Sequence, residues 1–419
     1  MLEGSRFMAL PVGQGDSFFL SKKGMTALVD GGKAVNTFPA LYKENTGLSS
    51  VNILVCTHND ADHARGLIGY LQSGLKCCEV WLPALWGGRL VDLLREPSRF
   101  TEELIDNICN LRRTQPESFT LSLEDLGNRL TKDLREELET THRERADKYD
   151  METLAGAIEV SEDYYLCDGW FPGSLWHGKK SLYLCPFIFE KVLGVRPAKD
   201  KMLAQAIVAA DQILKIVRLA YHAGAKIRWF ERSSKPASGG VPDFLIPVNA
   251  REIQAVQRQS WTALEFLALT IANKESLVFY SPPGNEGNSV LFTADSDLDF
   301  CQDIKWDDGM IITAPHHGAE TNSYAYERFA RENCNTDLQP FWVRSDGRFK
   351  RNPGNSFLQV RGIRYCTICR NNLGNYCAKQ CVCFSADGGR WRPAGCVRQC
   401  SCSPVPDMVF LMCWPIVVK

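Results

Sequence analysis

The sequence lacks a long apolar run. Although 45% of its 419 residues are apolar, no stretch approaches the roughly 20 apolar residues that cross a bilayer as a helix. Its first residues, MLEGSRFMALPVGQGD, contain no basic stretch followed by an apolar segment, so we expect no secretory signal. These absences argue against a membrane or exported protein, and we predict a cytoplasmic protein with no membrane partner.

A net charge of one sign is also missing. The formal net charge is −1, so overall charge indicates no partner. The charge is uneven, however: the range 341–400 holds eleven Lys and Arg against two Asp and Glu, a local charge of +9 that leaves about −10 for the remainder. This basic segment favours a nucleic acid or nucleotide as partner. Docking of the segment on the acidic remainder of the same chain is the alternative, and no protein partner can be predicted.

Cysteine, by contrast, is plentiful, with 17 residues in the chain. In a reducing compartment, clustered cysteines bind metal more readily than they form disulfides. Disulfides and unpaired core thiols are the alternatives, and only the first two of the clustered cysteines have the Cys-x2-Cys spacing typical of a zinc corner. Eight clustered thiols predict one or two structural zinc sites with these ligands: Cys366, Cys369, Cys377, Cys381, Cys383, Cys396, Cys400 and Cys402.

The order of apolar and charged segments predicts one α/β core with an insertion and a tail. Short apolar strands fill 1–90, helical periodicity with charged outer faces dominates 91–265, and strands continue through 266–360. Residues 361–419 form the cysteine-rich module, whose last stretch, MVFLMCWPIVVK, reads as a closing strand. The ten predicted strands lie in RFMALPVG, DSFFLSKKG, MTALVDGG, NILVCT, EVWLPAL, AKIRWFE, DFLIPV, SLVFYSP, SVLFTAD and GMIITAP.

Metal-ligand side chains follow three of these strands. The stretch ILVCTHNDADHARG is an apolar strand with four of them on the turn that leads into a short helix ending at Gly74; SVLFTADSD and MIITAPHHGAETN repeat the pattern. Because strand ends meet at one edge of a sheet, we expect the side chains to converge on zinc, manganese or iron. They are His58, Asp60, Asp62, His63, Asp295, His316 and His317.

These motifs, in this order, resemble the metallo-β-lactamase-fold hydrolases. That family has a strand followed by His-x-His-x-Asp-His, then a bridging Asp, then a final His. Asp60 in place of the second His, together with PVGQGDSFFL, LVDGG and PHHG, is similar to the hydrolase domain of ComEC-type competence proteins. The resemblance covers roughly 1–90 and 270–350. It implies an αββα-sandwich fold, to which the helical insertion and the C-terminal cysteine-rich module are additions.

The resemblance also implies a role for each ligand. Two zinc or manganese ions about 3.5–4 Å apart would share a hydroxide that attacks the substrate, so no nucleophilic side chain is needed. Asp60, Asp62 and His317 would take part in catalysis. The ligands divide into His58 and Asp60 for the first metal, Asp62 and His63 for the second, Asp295 bridging both, and one of His316 and His317 near the second.

The leading function is metal-dependent hydrolysis of a phosphodiester, as in a nuclease or nucleotide phosphodiesterase. The same type of site cleaves thioesters or lactams, which the basic segment disfavours. A non-catalytic metal-binding protein, with the tail as an interaction module, is the third hypothesis. Intact ligands in every motif argue against it.

Four further residues are candidates for contacts at the site, three of them with two interpretations each. Asp16, in the glycine-rich VGQGD, either contacts substrate or a ligand, or only caps its turn. Asp30 is expected to support the ligand loop. Arg344 and Arg348 either face an anionic substrate or lie outward on a solvated edge strand.

Many relatives have another His ligand between the second and fourth motifs. Only three histidines of this chain lie there, and we interpret each as a surface or core residue, which leaves the first metal with fewer ligands. They are His142, His177 and His222.

Overall fold

The computed structural model describes residues 4–138, 148–162, 201–345, 352–369 and 377–402. Several features considered above lie outside the described residues: His142, His177, Arg348 and the closing strand over 408–419.

The strands form two large sheets and one small one. The larger sheet has nine strands in the order β17-β16-β1-β2-β3-β4-β5-β7-β9, the next has six in the order β15-β14-β13-β12-β11-β8, and β6 pairs with β10. The bounds are β1 (Arg6–Ala9), β2 (Phe18–Lys22), β3 (Met25–Val29), β4 (Ser50–Val55), β5 (Lys76–Pro83), β6 (Lys148–Tyr149), β7 (Lys226–Arg232), β8 (Ile246–Pro247), β9 (Ala250–Ile253), β10 (Val256–Gln257), β11 (Phe279–Ser281), β12 (Val290–Phe292), β13 (Ile311–Thr313), β14 (Phe341–Arg344), β15 (Ile363–Cys366), β16 (Val382–Asp387) and β17 (Arg390–Pro393). All ten predicted strands are present.

Helices cover the outer faces of both large sheets. None of the described helices is both long and apolar enough to cross a membrane. The bounds are α1 (Phe38–Thr46), α2 (Ala61–Gln72), α3 (Gly87–Arg95), α4 (Pro97–Thr114), α5 (Leu123–Leu138), α6 (Met151–Glu162), α7 (Lys201–His222), α8 (Ala263–Thr270), α9 (Ser323–Glu332) and α10 (Asn355–Gln359).

Three apolar clusters hold these layers together. Strand β1 shows how: alternate side chains of a strand point to opposite faces, so Phe7 and Ala9 enter the core between the two sheets, whereas Met8 enters the core beneath the helices. The core between the sheets also takes Phe292 from the six-stranded sheet. A third cluster packs α9 and α10 on the outer face of that sheet. The protein is thus mixed α/β, with two facing sheets and helices on the outside.

The segment 91–265 is mainly helical, but it is more than an insertion. Strands β7 and β9 lie within it and extend the nine-stranded sheet beyond β5. Residues Lys148–Tyr149, which the charged periodicity of 123–150 assigns to a helix, form strand β6 and pair with β10. Helical periodicity therefore identifies α4, α5 and α7 but extends too far at Lys148–Tyr149, whereas the predicted strand AKIRWFE is confirmed as β7.

The described part of the cysteine-rich segment belongs to both sheets. Strand β15 pairs with β14, and β16 lies between β1 and β17. Strand β14 is consequently an internal strand, so a solvated edge strand at FWVR, one of the two interpretations of Arg344, is wrong. Removing the residues after 360 would remove β15 from the six-stranded sheet and β16 and β17 from the nine-stranded sheet.

Helix α2 passes unusually close to the loop after β3. A Cβ atom on Gly66 would lie 1.8 Å from the carbonyl oxygen of Gly31, and the amide of Gly66 donates to the oxygen of Gly32 at 2.8 Å. Only glycine permits this approach, which sets the position of the first turn of α2 and of the ligands it carries.

We expect Gly66→Ala to lower the free energy of unfolding by more than about 2 kcal/mol, because a methyl group here displaces backbone. Gly156→Ala is the matched control: it is also inside a helix, but nothing lies within 4 Å of its Cβ position. That change should stabilise by about 0.5–1 kcal/mol through helix propensity. Urea unfolding of both variants measures the contrast, and equal effects would contradict the close approach.

Candidate metal centre

The strand-end ligands meet around the carboxylate of Asp295. Its Oδ1 lies 3.1 Å from Nε2 of His63 and 3.8 Å from Nε2 of His317. Its Oδ2 lies 3.8 Å from Nε2 of His58 and 3.7 Å from Nε2 of His316. Asp295 therefore occupies the central position that a bridging ligand would need.

Three other acidic residues border this group. Asp62, in the first turn of α2, has Oδ2 3.6 Å from Nε2 of His317. Asp16 has one carboxylate oxygen within 4.8 Å of ligand atoms of His63, Asp295 and His317. Asp60 caps α2 by accepting from the amide of Ala61 at 2.5 Å. The structure thus gathers all the predicted ligands at one place, with Asp60 at the margin.

Every imidazole is held through Nδ1, which leaves Nε2 facing Asp295. Nδ1 of His63 lies 2.8 Å from Oδ2 of Asp30, and Nδ1 of His317 lies 2.9 Å from Oδ1 of Asp16. Such bonds fix ring orientation and tautomer in metal-binding histidines. The hydroxyl of Thr57 donates to Asp30 at 2.7 Å and lies 3.1 Å from Nδ1 of His58. Asp30 thus supports two ligands at once.

The inward-facing atoms make no hydrogen bond among the described residues, although Nε2 of His63 and Oδ1 of Asp295 form an ion pair at 3.1 Å. Within the described part of the chain, five buried polar atoms of the group make no hydrogen bond, although each would cost about 1–3 kcal/mol if left so. A divalent cation would satisfy them, and imidazole with carboxylate suits zinc, manganese or iron. The residues therefore fit a metal. The atoms are Oδ2 of Asp16, Nε2 of His58, Nε2 of His63, Oδ1 of Asp295 and Nε2 of His317.

Burial and mutual charge set the protonation of the group. Burial, followed by the charge of His63, lowers the pKa of His58 to about 4. Burial also acts to lower the pKa of His63, but the carboxylates of Asp295 and Asp30 outweigh it and hold that pKa well above its usual range. Burial and the charge of Asp62 raise the pKa of Asp60 to about 7. Metal binding at these atoms consequently competes with protons.

Backbone strain is concentrated at the same place. Seven non-glycine residues have positive φ within the ranges that the structure describes. Four of them are Asp30 (φ 59°), Ala294 (φ 47°), His316 (φ 46°) and His317 (φ 53°), all in the site or directly beside it. Left-handed backbone at non-glycine residues costs free energy and persists where the surroundings demand it. The strain supports a functional role for these loops.

Three residues that the sequence pattern did not identify complete the rim. Nδ1 of His316 lies 3.0 Å from Oδ1 of Asn322, whose amide donates to the backbone oxygen of Asp295 at 2.9 Å. The amide of Asn273 lies 3.4 Å from Nε2 of His316 and donates to Glu124 at 3.0 Å. Glu124 belongs to α5, so the helical insertion reaches the site. Asn273 and Glu124 lie outside the motifs, and Asn322, the last residue of MIITAPHHGAETN, is not singled out because the pattern marks only the histidines of that stretch.

Arg344 does not face this centre. Its side chain is fully buried, and its guanidinium donates to the oxygen of Ile368 at 2.8 Å and to the sulfur of Cys366 at 3.3 Å. A substrate cannot reach it, so the predicted substrate contact at Arg344 is corrected to a contact with the cysteine cluster. His222, at the end of α7, is exposed, in agreement with a surface residue.

The eight clustered cysteines divide into two sets. Four have Sγ atoms that all lie within 4.8 Å of one another: Cys366, Cys369, Cys400 and Cys402. The other four join no such group in the part of the chain that the structure describes: Cys377, Cys381, Cys383 and Cys396. Cys381 and Cys383 show the reason. Cys383 lies in β16 and Cys381 just before it, so both side chains point to the same face of the sheet, where they pack on the core beneath the helices. One four-cysteine site is therefore available among these eight, not two.

No protein-family model matches the chain, and no curated protein matches it. The interpretation of the centre therefore depends on its own geometry and on the motifs.

We expect chelator-treated protein to gain stability on addition of Mn²⁺, an ion that prefers carboxylate and imidazole to thiolate. At a concentration of 100 times Kd, the gain is about 2.7 kcal/mol, measured as a rise in Tm. Asp295→Asn should abolish the rise because the central carboxylate is lost. Asp303→Asn, at an exposed position, should keep it. A full rise in the Tm of Asp295→Asn on addition of Mn²⁺ would show that the ion binds at another site.

Proposed function

We propose that this protein is a metal-dependent hydrolase that cleaves phosphodiesters, with a nuclease or nucleotide phosphodiesterase as the specific form. The observation that carries the proposal is the convergence of five buried ligand atoms that make no hydrogen bond among the described residues, four of them from residues around Asp295 and the fifth its own Oδ1. Their order along the chain and the two facing sheets support the resemblance to metallo-β-lactamase-fold hydrolases of the ComEC type.

The residues of the chain would hold one or two divalent ions, zinc or manganese. Asp295 would hold them together with His58, His63 and His317. When bound, such ions act as Lewis acids and lower the pKa of a coordinated water. Asp30 and Asp16 keep the rings of His63 and His317 oriented, which preserves the arrangement during turnover.

Among the residues that the structure describes, the centre is most exposed at His316. The side chain of His316 is 27% exposed, whereas those of His58, His63, His317 and Asp295 are at most 2% exposed. Substrate would therefore approach beside His316, near Asn273 and Glu124. Close burial elsewhere excludes water from the ligands and strengthens their electrostatic effect on the substrate.

The basic character of the tail favours phosphate over a thioester or lactam. One of its eleven cationic residues, Arg344, is buried and cannot contribute to a surface charge. Arg390, Arg392 and Arg398 are exposed and can face a polyanion. Arg392 also pairs with Asp387 at 2.9 Å, but both side chains are largely exposed, so the pair is weak.

We expect Asp62→Asn to reduce hydrolysis of bis(p-nitrophenyl) phosphate by about 100-fold or more, the usual scale for loss of one charged group at a reacting centre. The variant keeps the shape of the side chain, so its Tm should stay close to that of the metal-free parent. Asp337→Asn, at an exposed position, is the matched control and should retain activity. Full activity in Asp62→Asn would contradict the assigned centre.

The rival hydrolases are tested with the same preparation. Turnover of a chromogenic cephalosporin or an acyl thioester, with none of the phosphodiester, would overturn the substrate class. Binding of Mn²⁺ without turnover of any of the three would favour a non-catalytic protein.

The proposed function also predicts that the tail binds nucleic acid through its exposed arginines. Arg390→Gln/Arg392→Gln/Arg398→Gln should weaken binding of single- and double-stranded DNA and lower the log–log salt slope by about 0.9 for each duplex phosphate that the variant no longer neutralises. Lys43→Gln/Lys76→Gln/Lys226→Gln removes the same charge from exposed positions outside the tail. Fluorescence anisotropy at several salt concentrations measures both. Equally weakened DNA binding in the two triple variants would show that the tail is not the binding surface.

A further inference from the structure

The four gathered thiols come from two separate stretches of the tail. Cys366 ends β15 and Cys369 follows it, whereas Cys400 and Cys402 lie beyond β17. The sulfurs of Cys366 and Cys400 are 3.1 Å apart, too far for a disulfide, whose length is about 2.05 Å. Tetrahedral zinc with sulfur at about 2.3 Å places its four ligands about 3.8 Å apart, which lies inside the 4.8 Å that contains all four sulfurs.

Arg344 supplies an independent reason to expect negative charge here. Its guanidinium is fully buried and stays protonated at any accessible pH. No carboxylate forms an ion pair with it among the described residues, and its Nη1 has no hydrogen-bond partner there. Its side-chain neighbours are sulfurs: Nε lies 3.3 Å from Cys366 and Nη2 lies 3.7 Å from Cys402.

A buried cation without a counter-charge would cost several kcal/mol. Neutral thiols cannot compensate it. Thiolates can, and four thiolates are what a closed structural zinc site contains.

We propose that Cys366, Cys369, Cys400 and Cys402 bind one structural zinc ion as thiolates, and that Arg344 offsets part of the net negative charge of the site. Two positive charges on zinc against four thiolates leave a charge of −2, which a guanidinium in contact reduces. Zinc is chosen because tetrahedral sulfur ligation favours it. The site is separate from the proposed hydrolytic centre and does not depend on it.

The position of Arg344 connects this site to the loop beneath the hydrolytic centre. The hydroxyl of the next residue, Ser345, donates to the oxygen of Gly15 at 3.0 Å. Asp16, beside it, holds Nδ1 of His317. Zinc at the cysteine cluster would therefore fix the end of β14 and, through it, the loop that supports His317.

The test compares Cys366→Ser/Cys369→Ser with Cys334→Ser/Cys396→Ser in the full chain, purified under reducing conditions. The control removes two exposed thiols outside the cluster. Elemental analysis in the Asp295→Asn background should give one zinc per chain in the control and none in the cluster variant. Replacement by Co²⁺ should give tetrathiolate charge-transfer bands in the control alone.

Three outcomes would overturn the zinc site. They are equal zinc content in the two double variants, iron in place of zinc, and a disulfide among the four cysteines by mass spectrometry of the unreduced protein. Since the background lacks the central carboxylate of the hydrolytic centre, none of these outcomes depends on whether the protein is a hydrolase.

The role of Arg344 is tested by the rate of zinc transfer to a chelator. Arg344→Met should accelerate zinc release by about 10–100-fold, the usual effect of losing a partner that supports metal ligands. Arg344→Lys keeps the positive charge, so its rate of zinc release should lie between those of Arg344→Met and the parent. Arg361→Met removes a nearby arginine that is bonded to two carbonyl oxygens and should have little effect. Similar release rates in Arg344→Met and Arg361→Met would overturn the charge compensation.

Discussion

Removal of Asp295 from water is the constraint on which the rest of this structure depends. Its side chain is 1% exposed, and a carboxylate in such a place costs several kcal/mol unless opposite charge surrounds it. In the metal-free protein His63 and His317, whose pKa values the neighbouring carboxylates hold well above the usual range, provide that charge. The Nδ1 atoms of the site are held in turn by Asp16, Asp30 and Asn322. Several of these residues lie in loops with an unfavourable backbone conformation. Backbone strain in these loops is therefore the cost of holding the residues that stabilise the buried carboxylate of Asp295.

Ten of the described strands and the convergence of the candidate metal ligands could be predicted from the sequence because both are local signals. An apolar run of four to six residues identifies a buried strand by itself, and polar residues directly after it are placed at a sheet edge by geometry. Asn273 and Glu124 carried no such signal. They reach His316 only through the packing of α5 and the turn after α8, which no periodicity encodes.

The errors came from long-range pairing. Arg344 is the last residue of β14 and looks like a surface cation. Its burial was decided by β15, a strand whose place in the sheet cannot be read from its four residues. Cysteine spacing suggested as many as two zinc sites, and strand β16 divided the set by placing Cys381 and Cys383 on a core face. Which distant strands pair with each other depends on the whole chain, so the residue pattern within one strand could not predict it.

The pairing of β1 with β16 has a consequence for how the chain is made. Phe7 is opposite Phe384 in the register of these strands, so the sheet acquires this pair only after every residue between them has been synthesised. Until then β1 is protected on one side alone, by β2, and the other side is an open edge. Pairing across so long a sequence separation slows folding and prolongs exposure to aggregation. During translation, the edge of β1 is therefore a surface on which a nascent chain is open to pairing with the wrong strand.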